Sequence, residues 1–274
     1  ERIKSLGVTI HLNAPVDKTK FLELQNSFDA IYIGIGAQQS MQLGIESESS
    51  EGIIDQLEFL SQVRNGEAPE LGKKVAVIGG GNSAMDAART AKRLVGKDGT
   101  VTILYRRTQR EMPADLEEVE EAIAEGVKII ELSAPERFIA EGERVTGIEC
   151  SKMKLGEPDA SGRPRPVKIE GAIEQYVVDS VIPAIGQKVN LDFLPDGTLT
   201  TDKETFRTNL KSIYAGGDAI RGAATLIEAI ADGKKAAMSI IHSAASGAGF
   251  QDAESPSQRF SLADYFQKLA HREF

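Results

Sequence analysis

Two rhythms run along this chain: short apolar runs that end at glycine, and longer stretches whose apolar residues return every three or four positions. The first rhythm predicts buried strands with sharp turns, the second amphipathic helices. Both meet in Lys74–Arg107, where the run Val75–Ile78 leads to Gly79-Gly80-Gly81, a helix-forming segment Ser83–Leu94 and a second run, Val101–Leu104. Strand, glycine turn, helix and parallel strand make a dinucleotide-binding βαβ unit. Upstream, the pattern predicts a short helix ending at Gly7, a strand Val8–Leu12, a helix Asp17–Phe28 and an apolar strand Ile31–Ala37 that ends in glycines. Leu43–Glu51 is polar and serine-rich, as a linker would be, and Ile53–Val63 is an amphipathic helix closed by Asn65-Gly66.

Downstream, a helix Ala114–Glu125 ends at Gly126 and a strand Val127–Leu132 follows. The runs Phe138-Ile139, Val145–Met153, Val167–Ile169 and Tyr176–Ile182 predict an antiparallel meander, with Gly156–Pro166 as a flexible hairpin loop. Val181–Gly186 is again an apolar run ending in glycine, and Leu199–Thr208 reads as a small hairpin or edge segment. A short strand Ile213–Ala215 then leads to Gly216-Gly217-Asp218 and an apolar helix from about Ala224. Gln251–Gln258 reads as a linker and Leu262–His271 as a short amphipathic helix. The fold class is therefore α/β, with Rossmann-like units and an antiparallel insertion.

The glycine turn carries the first chemistry. Gly79 permits a backbone angle that other residues resist, and Gly81 lets a pyrophosphate approach the main chain without meeting a Cβ. Free amides and the positive end of the following helix face that phosphate. At the end of the second strand, where an acidic residue would bind the adenosine ribose of NAD(H), the chain offers Arg106 and Arg107, with Arg110 close behind. Guanidinium groups there suit the 2′-phosphate of NADP(H), although basic residues after a strand also occur as simple solvated surface. The acidic cluster Glu117, Glu118, Glu120 and Glu121 is read as a solvated helix face.

Composition narrows the field. A net charge of −9 argues against nucleic-acid and anionic-membrane partners, and no apolar run has the ~20 residues of a membrane helix. Glu1-Arg2-Ile3-Lys4 opens a polar segment rather than a secretory signal, which predicts a cytoplasmic protein. With one cysteine, Cys150, the chain holds neither a disulfide nor the four thiolates of an iron–sulfur cluster. His11, His242 and His271 are scattered, so no metal site is expected.

Two further places leave alternatives open. Gly36 and Ala37 end a strand where an open α/β sheet receives a ligand, but an ordinary turn fits them equally well. Asp218 could accept hydrogen bonds from sugar hydroxyls or cap its own turn.

The stretches GGGNSAMDAAR (79–89), YRRTQREMPA (105–114), VIPAIGQ (181–187) and YAGGDAIRGAATLIEAIADGKKAA (214–237), in this order, resemble the glutamate synthase small (β) subunit family. Its relatives include the NADPH-dependent half of dihydropyrimidine dehydrogenase. The resemblance implies two nested domains, with an NADPH-binding domain at 67–185 inserted between FAD-binding segments 1–66 and 186–250, and a linker and helix at 251–274. Gly79, Gly81, Asn82 and Ser83 would hold the NADPH pyrophosphate, and Arg106 and Arg107 the 2′-phosphate. Ala184, Ile185 and Gly186 would lie near the nicotinamide half, while Gly36, Ala37, Gly217, Asp218 and Thr225 would line the FAD site. Asp218 would meet the ribityl or phosphate portion, and Thr225 the flavin ring.

The implied activity is hydride transfer from NADPH to FAD, with onward electron supply to iron–sulfur centres or a large catalytic partner subunit. That chemistry needs alignment rather than an acid–base residue, so no catalytic residue is assigned. The family's N-terminal G-x-G-x-x-G unit and cysteine-rich region have no counterpart here, and Leu43–Glu51 lacks the usual Pro-Gly. These departures imply a partial chain with a complete NADPH site and an incomplete FAD site. A binding module that holds NADPH without turnover is the alternative. A flavin disulfide reductase is disfavoured by the missing cysteine pair.

Overall fold

The computed structural model describes residues 2–159 and 162–245. The linker and helix expected at 251–274 lie outside them. The described chain forms two compact units, one built from residues up to Ala37 and from Val189 onward, the other from Gln38–Lys188. The division therefore falls at 37/38 and 188/189, not at 66/67 and 185/186.

The first unit opens with α1 (Arg2–Ser5) and α2 (Lys18–Ser27), whose N-cap Asp17 accepts from the Lys20 amide at 2.8 Å. The strand expected at Val8–Leu12 does not form, and Val8, Ile10 and Leu12 are exposed. A strand needs a neighbour for its ladder, and no described segment pairs with this one. Phe21 on α2 is buried edge-to-face against Phe193, their ring centroids 5.5 Å apart. β1 (Ile31–Ile33) stops short of the glycines that were expected to end it.

The chain then builds the second unit. β2 (Gln39–Ser40) is short, and the expected linker Leu43–Glu51 is instead held in place. The Leu43 and Gly44 amides donate to the Glu48 carboxylate at 2.6 and 2.7 Å, and Glu46 and Glu51 bridge to Arg137 and Arg144 of the later meander. α3 (Gln56–Asn65) starts at the cap Asp55 and ends at Gly66 in the left-handed region, φ +81°. Its Phe59 is wholly buried in the same core as the helix after the glycine turn, which is why residues 38–66 belong to this unit.

β3 (Lys74–Ile78), α4 (Asn82–Val95) and β4 (Thr100–Leu104) form the expected βαβ unit. α5 (Leu116–Ala124), β5 (Lys128–Ile130), β6 (Ser133–Glu141), β7 (Arg144–Pro158), β8 (Pro164–Val177), β9 (Ser180–Pro183) and β10 (Gln187–Lys188) complete it. The parallel sheet has the order β5-β4-β3-β9, and β6-β7-β8 form the antiparallel meander inserted before its last strand. β10 pairs with β2. The expected hairpin loop Gly156–Pro166 is largely strand, because β7 continues to Pro158 and β8 begins at Pro164. The single run Tyr176–Ile182 is split in two where the Asp179 carboxylate turns to accept the Lys73 and Lys74 amides.

Strand alternation in β3 sorts the core. Val75 and Val77 pack with Ala84, Met85, Ala87, Ala88 and Ala91 of α4, whereas Ala76 and Ile78 pack with Phe138, Val145, Ile148 and Cys150 of the meander. The acidic face of α5 is not merely solvated. Glu118, Glu121 and Glu125 surround Arg89 of α4 at 2.6–2.8 Å, so the charges staple two helices together.

Back in the first unit, Thr201 bridges Thr208 as the expected small hairpin. β11 (Ile213–Ala215) pairs in parallel with β1, and α6 (Asp218–Arg221) and α7 (Leu226–Ala245) follow.

Candidate functional site

The second unit places its glycines at the carboxyl end of β3. Gly79 has φ +144°, and a Cβ built there would sit 2.1 Å from the Ala184 carbonyl oxygen. A Cβ on Gly80 would strike the Tyr105 ring at 2.5 Å, so β4 and β9 press against the turn from both sides. Gly81 faces open space, with Pro113 Cγ 3.9 Å from its ideal Cβ, and serves as the N-cap of α4. Its carbonyl accepts from the Ala84 and Met85 amides. The amides of Gly80, Gly81, Asn82 and Ser83 donate to no group among the described residues. Unpaired N–H groups at the positive end of a 14-residue helix suit a bound anion.

The loop leaving β4 passes beside that turn. Tyr105 donates its hydroxyl to the Glu111 carbonyl, Thr108 and Glu111 form a capping box, and the Gln109 amide donates to Glu131 at 2.6 Å. Ala114 donates to the Gly80 carbonyl. Arg106 and Arg110 are exposed and make no hydrogen bond or ion pair among the described residues.

Arg107 is placed differently from the expectation. Its side chain is 4% exposed, with Nη2 at 2.6 Å from Asp159 and Nε donating to the Pro164 carbonyl at 2.7 Å. It anchors the β7–β8 hairpin, which leaves Arg106 and Arg110 as the cations of this loop without a partner among the described residues. The Asn82 side chain is likewise committed: its Nδ2 donates to Asp115 and its Oδ1 accepts from the Asp115 amide. Ala184 is buried and donates its amide to Ile78, Ile185 packs on the meander core, and Gly186 takes φ +132° and accepts from Met41.

In the first unit, Ile33 and Ala215 are direct partners, so residues 34–37 and 216–218 leave one edge of a parallel strand pair. That register brings Gly36, Ala37, Gly217 and Asp218 to the same end of the sheet. Gly36 has φ +68° and Ala37 is buried. Asp218 accepts from the Ala224 amide at 3.2 Å. Thr225 forms a reciprocal cap with Glu228 at the start of α7.

Asp232 was not singled out by the sequence. It is 1% exposed and accepts from the Gly217 amide at 3.0 Å and from Arg221 Nε and Nη2, each at 2.6 Å. The Arg221 guanidinium holds this carboxyl below its ordinary range, against the opposing effect of burial. An aspartate in the middle of the largely apolar stretch ATLIEAIADGKKAA was the signal available.

A glycine-turned βαβ unit with a meander inserted before its last parallel strand, interrupting a second α/β unit in the sequence, is a dinucleotide-binding architecture. The chain belongs to the pyridine nucleotide-disulphide oxidoreductase family, whose model matches residues 2–236. It is 43% identical over 251 residues to the NADP(+)-dependent formate dehydrogenase subunit beta of Moorella thermoacetica, covering 88% of this chain and 35% of that protein. It is 38% identical to a putative glutamate synthase [NADPH] small chain of Cereibacter sphaeroides, covering 88% of this chain and 62% of the relative. The resemblance drawn from the four motifs is thus borne out. Among solved structures, Mycobacterium tuberculosis FprA in complex with NADPH shares the fold, with TM-score 0.67 and 18% identity over 90% of this chain and 69% of that one.

The chain spans about a third to three-fifths of the length of these two curated relatives. No described helix is long and apolar enough to cross a membrane. The family name invokes disulfide chemistry, but this chain has one cysteine, fully buried, its thiol pushed by burial up to about 11.

Proposed function

We propose that this chain is the NADPH-accepting part of a flavin oxidoreductase of the glutamate synthase small-subunit type. One observation carries the reading: four unpaired amides, from Gly80 to Ser83, lie beside a loop with two unpaired arginines. The amides hold the pyrophosphate, and Arg106 and Arg110 take the 2′-phosphate. Arg107 supports the same loop from behind through Asp159. Ala184, Ile185 and Gly186 receive the nicotinamide half, at the end of a strand directly beside β3.

The strand ends at Gly36-Ala37 and Gly217-Asp218, with Thr225 at the start of α7, contribute to an FAD site. Bound at these sites, NADPH would supply hydride-transfer chemistry and FAD the means to pass electrons on singly. The chain's own task is to bind and orient. The electron acceptor is an iron–sulfur centre or a large catalytic subunit, and the setting is the cytoplasm. A second reading, NADPH binding without turnover, is favoured by the first unit's sheet, which has two paired strands among the described residues.

Calorimetry with NADPH and NADH tests the site. Wild type prefers NADPH, and Arg106→Ala removes a charge-assisted contact of about 1.5–3 kcal/mol, a loss of roughly 10- to 100-fold in NADPH affinity. An unchanged ratio of the two affinities refutes the phosphate assignment. Flavin colour that bleaches anaerobically with NADPH separates the enzyme from the module.

A further inference from the structure

Arg106 and Arg110 are exposed and their side chains make no hydrogen bond or ion pair among the described residues, so their placement depends on how the backbone of 105–115 is held. At its start the loop is tied to the β5–β6 corner, through Leu132 N to Arg107 O, Ser133 N to Tyr105 O, and Gln109 N to Glu131. At its far end it is tied to the glycine turn, through Ala114 N to Gly80 O and a reciprocal pair between Asn82 and Asp115. That pair links residues 33 apart, at 2.8 and 3.0 Å.

Its placement is unusual for an aspartate at a helix start. Asp115 is the N-cap of α5, yet its side chain makes no capping hydrogen bond to that helix. The carboxylate turns to Asn82 instead. Asn82 in turn spends both side-chain groups on the loop, leaving its backbone N–H as its contribution to the turn.

We infer that Asn82 and Asp115 are a positioning pair that sets the preference for a 2′-phosphorylated dinucleotide, by fixing the arginine-bearing loop to the turn that receives the pyrophosphate. The inference rests on the reading of the turn and loop as an NADPH site. Neither side chain touches the nucleotide. The pair makes the two phosphate-reading elements one rigid body, so a nucleotide held at the turn meets Arg106 and Arg110 already in place. Without the pair, the far end of the loop keeps the Ala114 amide bond and the packing of Met112 and Ala114 on the core, and re-ordering the arginine-bearing stretch costs affinity only for ligands that use the arginines.

Dissociation constants for NADP+ and NAD+, measured by calorimetry on wild type, Asn82→Ala, Asp115→Ala, the double variant and Asp115→Asn, test this. Asp115→Ala is expected to weaken NADP+ about five- to tenfold and NAD+ less than about twofold, and Asn82→Ala to lower the NADP+-to-NAD+ affinity ratio by a similar factor. The double variant should match the singles, since one link is broken either way. Asp115→Asn, which keeps an acceptor oxygen for Asn82, should retain most of the preference. A general loss of stability would weaken both nucleotides alike and leave their ratio unmoved. The inference is overturned if Asn82→Ala weakens both equally, which marks a direct pyrophosphate contact. It is also overturned if Asp115→Ala tightens NADP+, which marks simple repulsion, or if the ratio stays at the wild-type value. A wild type that binds NADP+ no better than NAD+ defeats the underlying site reading as well, and is recognised before any variant is compared.

Discussion

The two units solve the same problem with unequal means. In Gln38–Lys188 a four-stranded parallel sheet is covered on one face by α3, α4 and α5 and on the other by the meander, so its strands are buried on both sides. In the other unit the parallel sheet has two strands among the described residues, and large apolar side chains stand exposed around it. Val8, Ile10, Leu12, Phe28 and Ile35 do so, with Leu226, Ile227 and Ile230 on α7. Its turn is held by a charge pair, buried Asp232 with exposed Arg221, where the second unit uses close backbone packing. A glycine turn can therefore be fixed by steric enclosure between strands or by an ionic brace from the following helix. The two modes respond to different perturbations.

Substituting Gly79 tests enclosure most severely. Gly79→Ala drives a Cβ into the Ala184 carbonyl at 2.1 Å from a backbone angle alanine resists, and should cost several kcal/mol, about 3 or more. Urea unfolding should show the second unit's transition collapse. Gly217→Ala, whose Cβ meets Ala229 Cβ at 3.3 Å, should cost only about 1–2 kcal/mol in the first unit. Equal losses would erase the distinction.

The ionic brace has a pH signature. The Asp232 carboxyl is held below its ordinary value, so it contributes stability that is fully present above about pH 4 and is lost as pH falls through its folded value. Thermal melts on acidification should show that loss in wild type and a shallower one in Asp232→Asn. Asp232→Ala leaves the buried Gly217 amide without its acceptor, a cost of about 1–3 kcal/mol at neutral pH.

The smallest effect on the nucleotide should come from Arg107. Arg107→Ala breaks the contacts to Asp159 and Pro164 and should destabilise by about 1.5–3 kcal/mol, while the NADPH-to-NADH affinity ratio stays close to wild type. A fall in that ratio matching that of Arg106→Ala would return Arg107 to the phosphate.

Much of this was legible in the chain because the signals were local. Val75–Ile78 with its glycines, the helical periodicity of Asp17–Phe28 and Ile53–Val63, and the meander's broken runs each announce an element within a few residues. Val8–Leu12 has the same strand-like alternation, yet a strand exists only where a neighbour completes its ladder. Leu43–Glu51 looked like a linker because its anchors, Glu48 apart, lie on strands roughly a hundred residues away.

By itself the sequence determined that a helix follows a glycine turn at Gly79–Gly81, that basic residues follow the next strand, and that four motifs in order mark this oxidoreductase family. Only the tertiary structure decided which arginine is free. Arg106 and Arg107 are neighbours in a bend after β4, one exposed and one buried, and the Asp159 carboxylate that holds Arg107 is brought there by a hairpin folded back from 52 residues on. The same holds for Asn82 and Asp115, and for Asp232 beneath Gly217. A side chain's partner depends on what the fold brings beside it, and residue type and spacing carry no record of contacts made across the chain.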